Sequence, residues 1–230
     1  MNIALLWLFG TLMGYVIAKP IYRRLPYLPF SPAILVPVII IAILLTFNIP
    51  YDVYMQDNQW IVWMLGPTTV AFAIPIYEYR NIIKAHAITI SVGILVGMTA
   101  GMISAFYLAR LFHFDQPTTL SLMARSISTP FAIALTEHID GSVQLVILFT
   151  MITGIVGMMF GDLVLAGLKL KSYLANGASL GSAAHGFGTS KAYQRGKDEG
   201  VIASLTMVLA GIFMVIVGPF LVHIIFKLLA

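Results

Sequence analysis

Potential chemistry in this chain centres on His185, which lies in a run of small residues reading LGSAAHGFGTSKAYQR. If the run is helical, Ser182, His185 and Thr189 fall on one helix face at the spacing i, i+3 and i+7. An imidazole can donate or accept a hydrogen bond, or bind a proton near neutral pH, so this face suits an anion site or a proton relay. A structural histidine that bonds a neighbouring carbonyl is the alternative. The predicted substrate-binding residues of the run are Gly181, Ser182, His185, Gly188 and Thr189.

A second candidate is the run RSISTP, which begins at Arg125 about eight residues inside an apolar segment. A guanidinium at that depth could bind a carboxylate through two parallel hydrogen bonds. Pro130 frees a backbone carbonyl one turn earlier, and nearby hydroxyls or a ligand can satisfy it. The alternative is an arginine that extends to the membrane surface above a proline kink. The predicted binding residues are Arg125, Ser126, Ser128, Thr129 and Pro130.

A third candidate lies in the run LGPTTVAFAIPIYEYR, from Leu65 to Arg80. Without gaps, this run shares a Leu-Gly pair, a Phe and an Arg with the His185 run. Its predicted binding residues are Gly66, Pro67, Thr68 and Thr69. They could unwind a helix and expose its backbone to a small anion, although a kinked, unbroken helix explains the same residues.

An enzyme signature is also present, because GASLG at positions 177–181 matches the G-x-S-x-G pattern of serine hydrolases. Ser179 and His185 would lie on different faces of a helix, so the serine lacks a base within its own segment. An intramembrane serine hydrolase is therefore a remote alternative, and we predict no enzymatic activity. The chain has no cysteine, and we predict no cofactor and no metal site.

The composition identifies the elements that must position these residues. Of 230 residues, 60% are hydrophobic and only 10% are charged, with a mean hydropathy of +0.95. Soluble domains carry about 25% charged residues, so the sequence predicts an all-α polytopic membrane protein embedded in the lipid bilayer. Its basic residues stand singly or in small groups at segment ends, so the net charge of +4 reflects topology rather than nucleic-acid binding.

The apolar segments suggest an internal duplication within one transmembrane domain, residues 1–230. Repeat A would cover 1–112 and repeat B 113–230, with a Gly- and Pro- or Ser-rich segment third in each. If these third segments, 60–77 and 175–192, are broken or re-entrant, each repeat has three spans and the repeats are inverted. We expect inversion, and whether the third segments cross or turn back remains open. Eight segments are predicted: 3–18, 30–47, 60–77, 84–112, 117–137, 142–168, 175–192 and 200–229.

Glycines repeat every fourth residue in several of these segments. Such spacing places small residues in one stripe, which favours close helix packing and self-association. A homo-oligomer is therefore expected. The stripes are Gly10/Gly14, Gly93/Gly97/Gly101 and Gly157/Gly161.

The two polar runs resemble those of a known family. RSISTP at 125–130 looks like that family's [RK]-S-[IV]-[ST]-T-P stretch, and GSAAHGFGTSKA at 181–192 looks like its G-x-x-x-H-x-x-G-T-x-x-A run. Together with AIPIY at 73–77, they resemble the LrgB/CidB membrane proteins, which include the plastid glycolate/glycerate translocator. A departure is Ser190-Lys191, where the family often has Ala-Arg.

The resemblance implies a bacterial inner-membrane permease for small monocarboxylates such as pyruvate, glycolate or glycerate. It also implies a small LrgA/CidA-type membrane protein as a partner. Proton coupling is a hypothesis that rests on His185. The other role implied by the family is a holin/antiholin-like pore, or a regulator of murein hydrolase export and cell lysis.

Overall fold

The computed structural model describes residues 3–25, 27–71 and 73–229. Every regular element in these ranges is helical, which confirms the all-α class. Phe72, which the two similar runs share in sequence, lies outside the described residues. The chain forms two compact units, Met1–Thr68 and Thr69–Ala230.

In the first unit, helix α1 packs against both α2 and α3. Gly14 permits the close approach of α2, since a Cβ atom there would lie 3.3 Å from the Val36 side chain. Trp7 on α1 meets Tyr54 on α3 edge to face, with ring centroids 5.9 Å apart. The elements are α1 (Ile3–Arg24), a 3-10 turn (Leu28–Phe30), α2 (Pro32–Thr46), α3 (Tyr51–Trp63) and α4 (Leu65–Ala71), whose last residues belong to the second unit.

The second unit is built around its last helix, α12, which packs against α7, α9 and α11. The buried side of α12 includes Leu205, Val208 and Met214. The elements are α5 (Ala73–Glu78), α6 (Arg80–Ala85), α7 (Ala87–Leu111), α8 (Gln116–Ala124), α9 (Thr129–His138), α10 (Val143–Gly167), α11 (Tyr173–Arg195) and α12 (Lys197–Leu229).

Five stretches of the described chain are long and apolar enough to cross a membrane, which takes about 20 apolar residues. Their outward faces remain apolar: on α7, Val92 and Val96 are exposed, while Ile94 and Met98 are buried. A helix that is apolar on all sides suits lipid on one side and a protein core on the other. The five are Leu5–Arg24, Tyr51–Glu78, Ala87–Leu111, Val143–Gly167 and Lys197–Leu229.

The predicted segments 60–77 and 117–137 differ from single uninterrupted helices. In the first, α3 and α4 are separated by one turn residue, Met64. In the second, α8 ends at Ala124 and α9 begins at Thr129, so the segment consists of two short helices with a four-residue connection. The run RSIS forms that connection. Pro130 lies in the first turn of α9, where a backbone N–H would have no partner within the helix, so the proline costs no hydrogen bond.

Candidate functional site

Helix α11 is broken at His185. The residue has φ 51° and ψ −128°, with helical backbone on both sides. A positive φ is uncommon for a residue with a Cβ, and its cost must be met by surrounding contacts. The prediction that segment 175–192 is broken therefore agrees with the structure, and the break falls on the histidine itself.

Beyond the break, the chain returns along its own first arm. A Cβ atom on Gly188 would collide with the carbonyl oxygen of Leu180, and Leu180 and Ala192 belong to one buried cluster. In a straight helix these last two residues would stand about 18 Å apart. Residues 173–195 thus form a helical hairpin with His185 at its tip, named here the His185 hairpin.

Helices α8 and α9 form a second hairpin, residues 116–138, named here the Arg125 hairpin. Near its base, the Ser121 hydroxyl accepts a hydrogen bond from the Ser142 backbone N–H at 2.8 Å. A Cβ atom on Gly141 would meet both Thr136 and Ser121, so the two arms lie side by side. The tip of this hairpin is the connection 125–128.

The two hairpins approach from opposite ends of the second unit. Tyr193, near the base of the His185 hairpin, packs at Gly200 of α12, whereas Leu135 of the Arg125 hairpin packs at Gly218. These two glycines are separated by about 27 Å of straight helix. The tips therefore point towards each other along α12.

The hairpin tips meet in the interior of the second unit. His185 is 4% exposed, and its ring lies beside the Ser126 backbone and near the charge of Arg125. The Nε2 atom of His185 and the hydroxyl of Ser128 are buried without a hydrogen-bond partner. Unpaired buried polar atoms are costly, and a bound ligand or water would relieve that cost.

Helix α10 supports both tips. Its Thr153 hydroxyl accepts a hydrogen bond from Nη1 of Arg125 at 2.9 Å. Its glycines face the His185 hairpin, since added Cβ atoms on Gly157 and Gly161 would collide with Ala184 and Leu180. The Gly157/Gly161 stripe therefore packs within the chain, against α11.

The predicted stripe of Ser182, His185 and Thr189 is wrong, because the break at His185 separates the three residues. Ser182 precedes the break, and its hydroxyl donates to the Ala178 carbonyl at 2.7 Å. Thr189 lies on the returning arm, with its hydroxyl 3.8 Å from the Met207 sulfur. The i, i+3, i+7 rule applies only to continuous helix.

Gly181 and Gly188 permit close backbone contact. A Cβ atom on Gly181 would collide with the Ala203 carbonyl oxygen of α12. One on Gly188 would collide with the first arm of the same hairpin. Both glycines are therefore required by packing at the hairpin, and their role as ligands stays a prediction.

The third predicted group, Gly66 to Thr69, lies in helix α4. Gly66, Pro67 and Thr68 are exposed, and the Thr68 hydroxyl donates to the Met64 carbonyl at 2.7 Å. The backbone is helical through Thr69 rather than unwound. A site shared by these residues with His185 stays a prediction.

The sequence reasoning missed Thr153 and an ionic cluster near the base of the His185 hairpin. Asp162 of α10 pairs with both Lys191 and Arg195 at 2.8 Å, and Arg195 also pairs with Glu199 of α12. Lys191 and Arg195 are four residues apart and so lie on one helix face, and this spacing could have indicated a shared acidic partner.

The described part of the chain holds no group of three metal-ligating side chains. Ser179 also makes no hydrogen bond to a histidine side chain there.

Two cavities lie on either side of the His185 hairpin. One, of about 440 Å³, is lined by Arg125, Thr153, Gly157 and Ala183 among others. The other, of about 220 Å³, includes Ser182. Adjacent residues of α11, Ser182 and Ala183, therefore face different cavities.

Comparison with known proteins gives matches along almost the whole chain. The sequence matches the LrgB-like family over residues 11–224. It is 35% identical over 221 residues to the uncharacterized protein YwbG of Bacillus subtilis (strain 168), covering 96% of this chain and 98% of that protein. It is 30% identical over 219 residues to the holin-like protein CidB of Staphylococcus aureus (strain N315), covering 95% and 96% respectively. No solved structure matches the chain.

Proposed function

The chain belongs to the LrgB-like family, and from this premise we propose that it governs the passage of small solutes across the bacterial membrane. It is a multi-pass bacterial membrane protein, with five helical stretches of membrane-spanning length among the described residues. Two forms of this function have distinct support: a selective permease and a holin-like regulator of the envelope.

The geometry of the hairpin tips is the support for the first form, a permease for small monocarboxylates of the pyruvate, glycolate or glycerate class. The observation that carries this proposal is the meeting of the hairpin tips, where the buried Nε2 atom of His185 lacks a partner beside Arg125 and Ser126. Non-helical backbone at membrane depth is tolerated where protein buries it or a wet cavity adjoins it. In secondary transporters, such broken helices surround the substrate near the midplane.

In this proposal, each tip contributes a different group. Arg125 holds the carboxylate through its guanidinium, which Thr153 orients by a hydrogen bond. His185 binds the substrate oxygen, or carries the proton if uptake is coupled to a pH gradient. Ser126, Ser128, Thr129 and Pro130 shape the tip around them. No chemical reaction, cofactor or metal is assigned.

The holin-like regulator is the second candidate, and the name of the CidB relative favours it. In that role the protein would act in a pore or in control of cell lysis, together with a small LrgA/CidA-type membrane protein. Self-association would use exposed glycines of α1 and α7, such as Gly10 and Gly97, where an added Cβ atom would meet no atom of another helix within 4 Å.

Uptake into proteoliposomes of the purified protein separates the two candidates. The permease predicts saturable accumulation of labelled pyruvate or glycolate, driven by a pH gradient if protons are coupled. The pore predicts unselective leakage of dyes and solutes. Leakage without saturable uptake would reject the permease.

A further inference from the structure

The cavity of about 220 Å³ lies between α7, the first arm of the His185 hairpin and α12. Aliphatic side chains such as Ile90, Ile94 and Leu174 form much of its lining. Polar residues are distributed among them: His86, Thr89, Ser179, Ser182 and Thr206. A water molecule occupies about 30 Å³ of liquid, so a cavity of this size has room for several. Unlike a cavity lined only by aliphatic side chains, it provides the polar partners that water needs.

Two of the hydroxyls that line it are oriented by their own helices. Ser182 donates to the Ala178 carbonyl at 2.7 Å, and Thr206 donates to the Ile202 carbonyl at 2.9 Å. Each oxygen keeps lone pairs that can accept a further hydrogen bond. This pattern suits water and a solute that carries hydroxyl groups or travels hydrated, rather than a bare anion.

The cavity extends from the base of the His185 hairpin towards its tip. Leu174 and Ala175 line it near the start of α11, and Ser182 lines it one turn before His185. The next residue, Ala183, lines the cavity that contains Arg125. The two cavities therefore approach each other at the last turn before the break.

Charge identifies the side of the membrane on which this hairpin begins. Ile82 and Ile83 of α6 and Leu174 of α11 all pack against one buried cluster near the start of α12, so α6 and the hairpin base lie at one end of the unit. The opposite end carries Arg110, which bonds the Leu229 carbonyl, and Lys227. The basic residues at or near the hairpin end are Arg80, Lys84, Lys169, Lys171, Lys191, Arg195 and Lys197. Since cytoplasmic loops carry the excess of Lys and Arg, this end faces the cytoplasm.

We propose that this cavity is a water-filled path from the cytoplasm to the tip of the His185 hairpin, taken by a small hydrated or hydroxylated solute. The inference rests on the proposed permease function and adds its cytoplasmic route, with Thr89, Gly93 and Ser179 as wall residues. The solute would travel along this path between the cytoplasm and the proposed binding site at the tip.

Single cysteines test the path directly, since the chain has none of its own. Gly93→Cys is the main variant, because Gly93 lines the cavity and a Cβ atom there has no neighbour within 4 Å. Val92→Cys is the matched control at the same depth, since Val92 is 53% exposed on the outer surface of α7 and does not line the cavity. Ser179→Cys repeats the test on the hairpin.

Each full-length variant is treated with a charged, membrane-impermeant methanethiosulfonate reagent in inside-out and right-side-out vesicles. In inside-out vesicles, Gly93→Cys should react at least about tenfold faster than Val92→Cys. The reagent reacts with the ionised thiolate, and the apolar surroundings of position 92 suppress ionisation of the thiol. Ser179→Cys should also react, and both cavity variants should react more slowly in right-side-out vesicles.

Equal rates for Gly93→Cys and Val92→Cys, or faster reaction of the cavity variants from the outside, would overturn the cytoplasmic path. The reaction needs no transport, so its result is independent of the permease assay. Labelling without carboxylate uptake would reject the permease but keep the wet cavity. Uptake without labelling would keep the permease and reject this route.

Discussion

Gly157→Ala tests whether α10 holds the His185 tip in place. The added Cβ atom would lie 2.5 Å from the Cβ and 3.2 Å from the Cα of Ala184, the residue immediately before His185. Non-bonded carbons prefer a separation of about 3.5–4.0 Å, so the tip must move by about 1 Å. Ala184 is a short side chain and cannot rotate away, so the movement falls on the backbone.

The expected change in the stability of Gly157→Ala follows from two opposing effects. Overpacking of a buried contact costs about 1–3 kcal/mol. Replacing a mid-helix glycine by alanine gains about 0.5–1 kcal/mol. Gly97→Ala on α7 is the matched control, because it has the same helical gain and no atom within 4 Å of the new Cβ. The difference between the two variants should therefore be about 1–3 kcal/mol, with Gly157→Ala the less stable.

Thermal unfolding of the purified variants in detergent measures the stability difference, and pyruvate uptake in proteoliposomes measures the effect on the site. Gly157→Ala should unfold at a lower temperature than Gly97→Ala and should transport less. Equal unfolding temperatures would refute the close contact between α10 and the tip. A destabilised variant with unchanged uptake would show that transport does not depend on the tip position.

Three further substitutions test the site. Arg125→Lys should weaken pyruvate binding by about 1–3 kcal/mol, because a lysine cannot reproduce the two-pronged guanidinium contact; equal affinity of wild type and variant would refute this. His185→Ala should abolish uptake, whereas His185→Gln should lose pH-driven uptake but permit pyruvate exchange if the histidine relays protons; full pH-driven uptake by the alanine variant would remove His185 from the site. Asp162→Asn removes the ionised partner of Lys191 and Arg195, whose side chains are 28% and 31% exposed. Each exposed pair contributes only about 0–1 kcal/mol, so the unfolding temperature should fall slightly at low salt and less at high salt. An identical unfolding temperature at low salt would contradict a stabilising role for these pairs.

Local sequence pattern predicted the break at the His185 run better than it predicted the arrangement of the residues around it. The small residues around His185 predicted a break in segment 175–192, and the structure places one there. The same reasoning treated Ser182 and Thr189 as one face with His185. That error follows from extending a helical period across the break, whose neighbours in the fold are the Ser126 backbone and Gly157 of α10.

The Arg125 hairpin likewise could not be predicted fully from the sequence. The run RSISTP indicated a proline kink within segment 117–137, but nothing local distinguishes a kink from a full reversal. The reversal is stabilised by contacts such as Ser121 with the Ser142 backbone, and by Leu135 against Gly218 of α12. These partners are too far apart in sequence for helical periodicity to connect them.

The sequence by itself determined the membrane-embedded, all-helical class, the family, and the two polar runs that contain His185 and Arg125. Those properties depend on composition and on short motifs, which act locally. The tertiary structure alone decided that both runs become hairpin tips, that the tips come from opposite ends, and that they meet beside α10. Glycines at positions such as 157 and 181 only permit close approach, and the partner that approaches is chosen by the packing of the whole unit.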